Sequence, residues 1–436
     1  MRRNVKWVLL AAGLIVLQAG LAQAAGFNIY EAGVRATALG GAFTATADDG
    51  SAMFYNAAGL SFQSGASVSL NMIGVNPRFK FQGATTLADG GDFAEAQNKT
   101  YPVPGAYYTN SSENSKLSFG VGVYAPFGLG VKWQDPETFV GRQVSYDVEI
   151  KTVYVTPAVS YMVADGLALA VGLDVAKQHI NLHRMTLHPG LGVNALDTQI
   201  EGWSDLNFTP SFGVMFRPDE KLSLGAMYHH KKTMNYEDGD ATLTNQIDPN
   251  DPGYSWSATL LNALGGSEHK INSELNLPYI LSFGAAYQVT PRLRGEVNYV
   301  HFGWSTFASL ALDSDTDALD QTLHFDYEDA WQIRFGLDYE AIPEKLNIMA
   351  GYVHDTTPQP LESVSPLLPD SDRNDYSLGV QVFNGNWEFN AAYMIVVGTE
   401  RTNIENGEPA NPDPAYPVGT YKSMANIFGA GVGYRF

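Results

Sequence analysis

The sequence predicts an all-β fold, a transmembrane β-barrel of about 14 antiparallel strands with a small N-terminal hatch, or plug, of short helices. Three observations predict it. Apolar residues recur at every second position, short turns alternate with long polar loops, and only 17% of the residues are charged although 45% are hydrophobic. We expect an export signal over residues 1–24, the hatch over residues 25–64 and the barrel over residues 65–436.

The composition excludes several classes of protein. The 436 residues carry a formal net charge of −20, which argues against a nucleic-acid-binding protein because such a protein needs a basic face. The chain contains no Cys, which excludes disulfide scaffolds, thiol catalysis and cysteine-built zinc or iron–sulfur sites. Its low charged fraction is unusual for a soluble protein of this size, which indicates that part of its surface contacts something other than water.

Residues 1–24 have the pattern of a secretory signal peptide. A basic start is followed by the apolar core Trp7–Leu17 and the small-residue cleavage pattern Ala22-Gln23-Ala24. The apolar core is too short to span a membrane as a helix. We therefore expect export and a mature chain that begins Ala25-Gly26-Phe27.

The next segment, residues 25–64, lacks a strand pattern. It is rich in Ala, Gly and small polar residues, and Ser51–Leu60 is compatible with short helical turns. A barrel of this size has a lumen wide enough to need filling, so we expect the segment to plug it. The alternative is a disordered periplasmic tail, against which the low charge and the lack of Pro argue.

Alternating hydrophobicity dominates the chain from residue 65 onward. Every second residue from Leu206 to Phe216 is apolar, and the same pattern runs through residues 275–289, 331–339 and 428–436. These segments are predicted to be strands with one apolar face. A periplasmic β-sandwich would also alternate, but the turns are spaced too far apart for a sandwich and the apolar face recurs in nearly every strand.

The connections between the strands are of two kinds. Tight turns such as Ala164-Asp165-Gly166 and Asn384-Gly385-Asn386 join strands at one end, and long segments such as Thr186–Ser204 and Asp238–Lys270 join them at the other. This asymmetry is typical of bacterial outer-membrane barrels. We therefore expect a multi-pass protein of the Gram-negative outer membrane, monomeric and in contact with membrane lipid and lipopolysaccharide.

One predicted strand indicates what the lumen of the barrel holds. Odd-numbered residues from Leu167 to Val175 are apolar, but beyond them Ile180 and Leu182 point inward, followed by Arg184. About nine tilted residues span an outer membrane, so this inversion falls above the bilayer. An apolar interior there predicts one wall of a hydrophobic ligand chamber with a cation at its edge, the alternative being simple packing against loops.

Several short motifs occur in the order found in one family. Ala47-Asp48-Asp49-Gly50 and Asn56-Ala57-Ala58-Gly59-Leu60 resemble the hatch of the long-chain fatty acid transporter (FadL) family. The resemblance spans essentially the whole mature chain. Its later landmarks are Leu275-Asn276-Leu277-Pro278, Trp304-Ser305-Thr306-Phe307, Asp355-Thr356-Thr357-Pro358 and Pro369-Asp370-Ser371-Asp372-Arg373.

The resemblance implies passive uptake of long-chain fatty acids or, as in other members, of aromatic or aliphatic hydrocarbons. A ligand captured at the outer loops enters an apolar chamber, is released when the mature N-terminus shifts, and leaves sideways at a kink in the third strand. The implied gate residues are Ala25, Gly26, Phe27 and Asn56, and the implied lateral opening is Pro126, Phe127 and Gly128. The implied ligand-binding residues are Ile180, Leu182, Arg184, His324 and Asp355.

Two positions depart from the family pattern. The hatch motif of the family is Asn-Pro-Ala, and Ala57 stands at its proline. In fatty-acid transporters an arginine and a lysine receive the carboxylate; Arg184 matches the arginine, but Leu323 followed by His324 stands at the lysine. A hydrocarbon substrate therefore stays open as an alternative.

No motif indicates catalysis or a bound metal. The chain lacks the Gly-x-Ser-x-Gly and His-Glu-x-x-His motifs, so we expect neither an enzyme nor a cofactor, and a barrel phospholipase or a general porin is disfavoured. Asp313, Asp315 and Asp317 alternate as in a calcium loop, but Ala318 and His324 stand where such a loop needs Gly and Glu. We interpret this segment as a solvated loop.

Overall fold

The computed structural model describes residues 26–84, 91–111 and 115–436. They form a closed antiparallel barrel of 14 strands with a few short helices near the N-terminus, which confirms the predicted fold. The last strand pairs with the first, from Ser67 opposite Arg435 to Gly83 opposite Gly419, and so closes the sheet. The predicted signal peptide and the predicted gate residue Ala25 lie outside the described residues.

The strands are numbered here β1 to β14 in chain order, and two ranges mark a strand that is interrupted. They are β1 Gly65–Gly83, β2 Tyr101–Ser111, β3 Leu117–Tyr124 and Gly128–Lys132, β4 Asp147–Ala164, β5 Leu167–Leu187, β6 Asn194–Trp203 and Asn207–Phe216, β7 Leu222–His229 and Lys232–Asn245, β8 Glu268–Leu277 and Ile280–Thr290, β9 Leu293–Phe302 and Ser309–Ser314, β10 Gln321–His324 and Ala330–Ile342, β11 Leu346–Asp355, β12 Arg373–Asn384, β13 Trp387–Gly398 and β14 Gly419–Arg435. The short strands Phe93–Glu95 and Arg401–Thr402 pair with β1 and β14, and Ile404–Glu405 pairs with Glu408–Pro409.

The outer surface of the barrel carries the apolar face of each strand. On β5 the outward side chains of Leu169, Val171 and Leu173 are 45%, 56% and 43% exposed, whereas Ala168 and Ala170 are buried toward the inside. A closed sheet pairs its backbone groups between strands, as a bilayer interior requires. No helix in residues 26–84, 91–111 and 115–436 has the length and apolar character to cross a membrane.

The connections agree with the predicted asymmetry in part. Tight turns join Ala164 to Leu167 and Asn384 to Trp387, as predicted. At the other end the predicted loops are shorter than expected, because Thr186–Ser204 includes the strand Asn194–Trp203 and because β7 continues to Asn245. Strand pairing continues there because paired backbone groups stay satisfied without an apolar face.

The hatch, residues 26–64, packs inside the barrel. It contains the helices α1 Val34–Ala38 and α2 Ala52–Tyr55, followed by the 3₁₀ helix Ala57–Phe62, and most of its side chains are buried. The turns expected in Ser51–Leu60 are present, but α1 was not predicted because a helix buried on every side has no amphipathic stripe. The remaining helices are α3 Tyr254–Ala263 and the 3₁₀ helices Trp304–Thr306, Asp317–Leu319 and Leu361–Ser363.

Buried and half-buried charges attach the hatch to the barrel wall. Arg35 of α1 forms ion pairs with Asp48 of the hatch and with Asp338 of β10. Arg294 of β9 contacts the same two carboxylates, at 3.1 Å each. Four alternating charges therefore form a closed cluster between the hatch and two strands, which is the arrangement that offsets the cost of burying ions.

Candidate functional site

The third strand is broken between Tyr124 and Gly128. Strand β2 pairs with β3 from Ala106 to Ser111, whereas among the described residues Tyr101–Gly105 pairs only with β1. The wall therefore has a gap between the outer halves of β2 and β3.

Prolines on both sides account for the gap. Pro126 lies at the break, and the sequence Tyr-Pro-Val-Pro of β2 places Pro102 and Pro104 along its edge. A proline has no N–H to donate to a strand ladder. The resemblance singled out Pro126; the Pro-Val-Pro pattern inside a strand was the additional sequence signal for this gap.

The first described residues of the hatch cover the break. The Ile29 amide donates to the Pro126 carbonyl at 2.8 Å, and the Gly128 amide donates to the Phe27 carbonyl at 3.1 Å. Asn28 thereby forms an antiparallel bridge with Phe127, and its side-chain amide also donates to the Pro126 carbonyl at 2.9 Å. Residues 27–29 thus act as a short added strand at the gap.

Aromatic contacts hold this added strand in place. The Phe27 ring lies 4.8 Å from Trp304, 6.0 Å from Phe307 and 6.1 Å from Phe127, measured between ring centroids and with edge-to-face geometry. Gly26 has a φ of +63°, and a Cβ atom there would lie 2.9 Å from the Trp304 ring. A glycine is therefore required where the chain passes this indole.

Gly26 is also tied to the outer loop between β11 and β12. Its amide donates to Asp370 Oδ2 at 3.1 Å, and the Thr357 hydroxyl donates to the same oxygen at 2.6 Å. Burial raises the pKa of the Asp370 carboxyl from 3.8 to about 6, although these hydrogen bonds and the nearby Arg373 and Arg401 oppose the rise.

A cavity of about 550 Å³ adjoins the break. Its lining extends from Gly26, Asp370 and Arg373 inside the barrel to Val153, which is 44% exposed on the outer wall. The cavity therefore connects the interior with the lipid-facing surface through the gap. Apolar side chains that line it include Val75, Phe79, Val103, Leu129, Ile150 and Ile427.

Charged groups lie at the two ends of this cavity. At the inner end Arg373 bonds to Asp355 at 2.9 Å, and the buried Glu31 also lines the wall. At the outer end, on the barrel exterior, Lys99 and Lys151 both contact Glu149. An apolar passage with polar ends suits an amphipathic or apolar guest.

The structure brings the implied gate residues Gly26 and Phe27 together with the implied opening residues, whereas Asn56 does not line the cavity and Ala25 lies outside the described residues. Gly26, Phe27, Phe127 and Gly128 all line the cavity, and Pro126 contributes its carbonyl to the added strand.

The implied ligand-binding residues lie elsewhere. Arg184 donates to Gln321 Oε1 at 2.7 Å, joining the outer ends of the non-adjacent strands β5 and β10. On β5, Leu182 is buried and Ile180 half-buried, whereas His324 on β10 is exposed. Asp355 is fully buried behind Arg373, outside the cavity lining. These five residues therefore do not form one pocket with the cavity at the break.

Asn56 has a local role in the hatch. Its side-chain amide donates to the carbonyls of Thr44 and Val214 at 2.9 Å each, and its Oδ1 accepts the Ala58 amide at 3.1 Å. It therefore caps the 3₁₀ helix and fixes the hatch to β6. Ala57, at the family's proline position, is the first residue of that helix.

The acidic loop segment does not assemble a metal centre. Asp315 accepts hydrogen bonds from the His269 ring and from the Lys270 amide, at 3.2 Å each. In the part of the chain that the structure describes, no three His, Asp or Glu side chains are placed to hold a metal ion.

Comparisons with known proteins agree on one family. The model of the family described as "Outer membrane protein transport protein (OMPP1/FadL/TodX)" matches residues 15–436. Outer membrane protein P1 of Haemophilus influenzae is 25% identical over 98% of each chain. A long-chain fatty acid transport protein of Escherichia coli is 23% identical over 98% of this chain and 97% of its own.

Solved structures share the fold. A FadL homologue of Pseudomonas aeruginosa superposes with a TM-score of 0.80 at 20% identity, covering 94% of this chain and 100% of its own. The toluene transporter TbuX of Ralstonia pickettii gives a TM-score of 0.65 at 17% identity over the same shares. At these identities the likeness concerns the barrel architecture.

Proposed function

This chain belongs to the OMPP1/FadL/TodX family of outer membrane transport proteins, as its sequence landmarks indicated, and we propose that it carries long-chain fatty acids into the cell. Members of the family are outer-membrane transporters of hydrophobic compounds, so the site of action is the outer membrane. The further proposals are the fatty-acid substrate, the gate and the lateral exit. Monomeric assembly and contact with lipopolysaccharide stay predictions.

The apolar cavity at the broken strand is the observation that carries this proposal. Its volume of about 550 Å³ is in the range of ligand pockets, about 300–1,000 Å³. A ligand that enters from the outer loops would reach the bilayer through the gap between β2 and β3. An acyl chain on this route exchanges one apolar environment for another, so its hydrophobic free energy changes little on leaving the barrel.

The added strand at residues 27–29 is the proposed gate. It is held by two backbone hydrogen bonds and by the contacts of Phe27, and each hydrogen bond contributes about 1 kcal/mol net. A ligand in the adjoining cavity competes with Phe27 for the same apolar surroundings. A ligand that binds more tightly when residues 27–29 are displaced shifts the equilibrium toward the displaced state. The free energy required is that of these few contacts, so the barrel itself stays folded.

A disulfide across the bridge tests the gate. Asn28 and Phe127 are a non-hydrogen-bonded antiparallel pair, whose Cα atoms lie about 4.5 Å apart, within reach of a disulfide. The natural chain has no cysteine, so Asn28→Cys with Phe127→Cys creates a unique bond. In cells that lack their own fatty-acid transporter, we expect oxidation of the double variant to stop oleate uptake and reduction to restore it.

The single variants Asn28→Cys and Phe127→Cys are the matched controls and should transport under both conditions. Full oleate uptake by the oxidised double variant would refute the N-terminal gate.

Uptake of aromatic hydrocarbons is the second candidate function. The rings of Phe307, Phe325 and Tyr327 extend the aromatic cluster around Phe27, and Arg373 is neutralised by Asp355. Competition between oleate and toluene for binding distinguishes the two. If toluene displaces oleate at lower concentration than unlabelled oleate does, the hydrocarbon function replaces the fatty-acid function.

A further inference from the structure

The outer end of the cavity carries a charge arrangement that the transport route alone does not explain. Lys99 and Lys151 place their ammonium groups on the two different oxygens of Glu149, Lys99 at 3.1 Å. All three line the cavity. Two cations share one carboxylate, so the cluster has an excess of one positive charge at the mouth.

The positions of these lysines are constrained. The Lys99 ammonium lies 4.6 Å from the centre of the Tyr101 ring, and the Lys99 carbonyl accepts a hydrogen bond from the Asn76 side chain at 3.1 Å. Glu149 is 16% exposed, whereas the Lys99 and Lys151 side chains are 51% and 60% exposed. The carboxylate is thus held below two ammonium groups that are accessible from outside.

At the inner end of the cavity the lining cation is already paired. Of the three cations in its described lining, Arg373 is the inner one, and it is bonded to Asp355 at 2.9 Å with Asp375 at 3.9 Å. The carboxyl groups of Glu31 and Asp370 also lie at this end. Among the described lining residues Arg373 is already paired, so the excess positive charge lies at the lateral mouth, which attracts an anionic group.

The lysines also lie at the level where the outer wall changes from apolar to polar. On β4, Val153 and Val155 are 44% and 40% exposed, and the next outward positions are Lys151 and Glu149. A head group held by these lysines would leave its chain level with the apolar band. At a membrane interface, charged head groups lie in the polar zone and apolar chains lie in the hydrocarbon zone.

We infer that Lys99 and Lys151 form an anion-binding site at the lateral mouth, which receives the carboxylate of a fatty acid as its chain enters the bilayer. The inference rests on the proposed transport function and assigns head-group recognition to the exit. Glu149 acts as an internal competitor that keeps the affinity low enough for release.

Binding of oleate and of oleyl alcohol, which share one chain, tests this site. In nanodiscs of phosphatidylcholine, the double variant K99Q/K151Q should bind oleate about fivefold more weakly and oleyl alcohol as the natural protein does. Glu149→Gln removes the competitor and should tighten oleate binding alone. The matched control K80Q/K422Q removes two outward lysines that pair with Glu95 and Glu400 outside the lining, and should change neither affinity.

Three outcomes would overturn the site. One is an unchanged ratio of oleate to oleyl alcohol affinity in K99Q/K151Q and in E149Q, with the natural protein binding both ligands. Another is an equal effect in the K80Q/K422Q control. The third is an effect that appears only when phosphatidylglycerol is added, which would assign the lysines to a lipid phosphate. Failure of the natural protein to bind either ligand would instead refute the proposed function.

Discussion

Asp370 of the outer loop between β11 and β12 holds Gly26 of the hatch and Thr357 of the same loop through a single oxygen. That oxygen accepts both the Gly26 amide and the Thr357 hydroxyl. Burial raises the pKa of Asp370 to about 6, and burial also raises the pKa of Asp372, two residues further on, to about 6. The loop is thus packed around carboxyl groups that titrate just below neutral pH.

Packing of this loop should weaken as the pH rises. The Asp370 carboxyl holds its proton more tightly when packed, so its contribution, on the order of 3 kcal/mol, is fully present below about pH 4 and lost as the pH rises through about 6. We expect amides of residues 356–372 to exchange hydrogen faster at pH 7.5 than at pH 5, after correction for intrinsic rates. Asp370→Asn should reduce the difference, the double variant D370N/D372N should remove most of it, and the exposed control Asp413→Asn should change it little.

Equal protection of this loop at the two pH values would contradict the prediction. So would a pH dependence in Asp370→Asn as large as in the natural protein.

The β-strands were predictable from the sequence where a single local pattern determines them. Alternation placed the membrane-spanning part of β5 because lipid contact demands an apolar residue at every outward position. It did not place Asn194–Trp203 or the outer part of β7, because both faces there are mixed and backbone pairing alone maintains the strand. Segments of that kind look like polar loops in a sequence.

The candidate site was less predictable for a related reason. The kink at Pro126 was implied by the family resemblance, but the residue that covers it, Asn28, lies 98 residues away in the chain. A pairing between segments so distant has no local pattern. Likewise Arg184 has the inward parity expected of it, yet its side chain bonds to Gln321 rather than facing the cavity at the break.

The lipid-facing surface of β5 gives an element-scale prediction. Val171 lies mid-way along the apolar band and is 56% exposed, so Val171→Lys places a charge near the bilayer centre. Such a change costs about 2–4 kcal/mol, falling to about 0–1 kcal/mol near the interface. We expect urea unfolding in lipid vesicles, followed by tryptophan fluorescence, to report a loss of that size for Val171→Lys.

His179→Lys on the same strand is the matched control, because His179 lies on the same face above the apolar band. A similar loss in both variants would place the membrane boundary further out than the alternation indicates.

At the scale of the whole molecule, the hatch packs against the barrel wall from inside. The hatch fills the lumen, and the amides of Phe43 and Thr44 donate to Asn298 of β9 at 2.9 and 3.0 Å. The cavity at the break reaches the outer wall at Val153. We propose that the hatch blocks an axial route for water-soluble solutes and that apolar ligands use the cavity at the break instead.

The charge cluster at Arg35 should therefore control leakage of small solutes. Arg35→Met removes one of the two arginines that pair with both Asp48 and Asp338, and breaking a buried ion pair costs about 3–5 kcal/mol. We expect liposomes with the natural protein to show negligible swelling in small sugars and those with Arg35→Met to swell measurably, while oleate binding at the break is retained. Arg142→Met, which removes hydrogen bonds to Asn194 at the outer end of β6 and to the Phe139 carbonyl but none to the hatch, should not leak. Brisk sugar flux through the natural protein would refute the plug and favour a general porin, because a filled lumen cannot pass hydrated solutes at that rate.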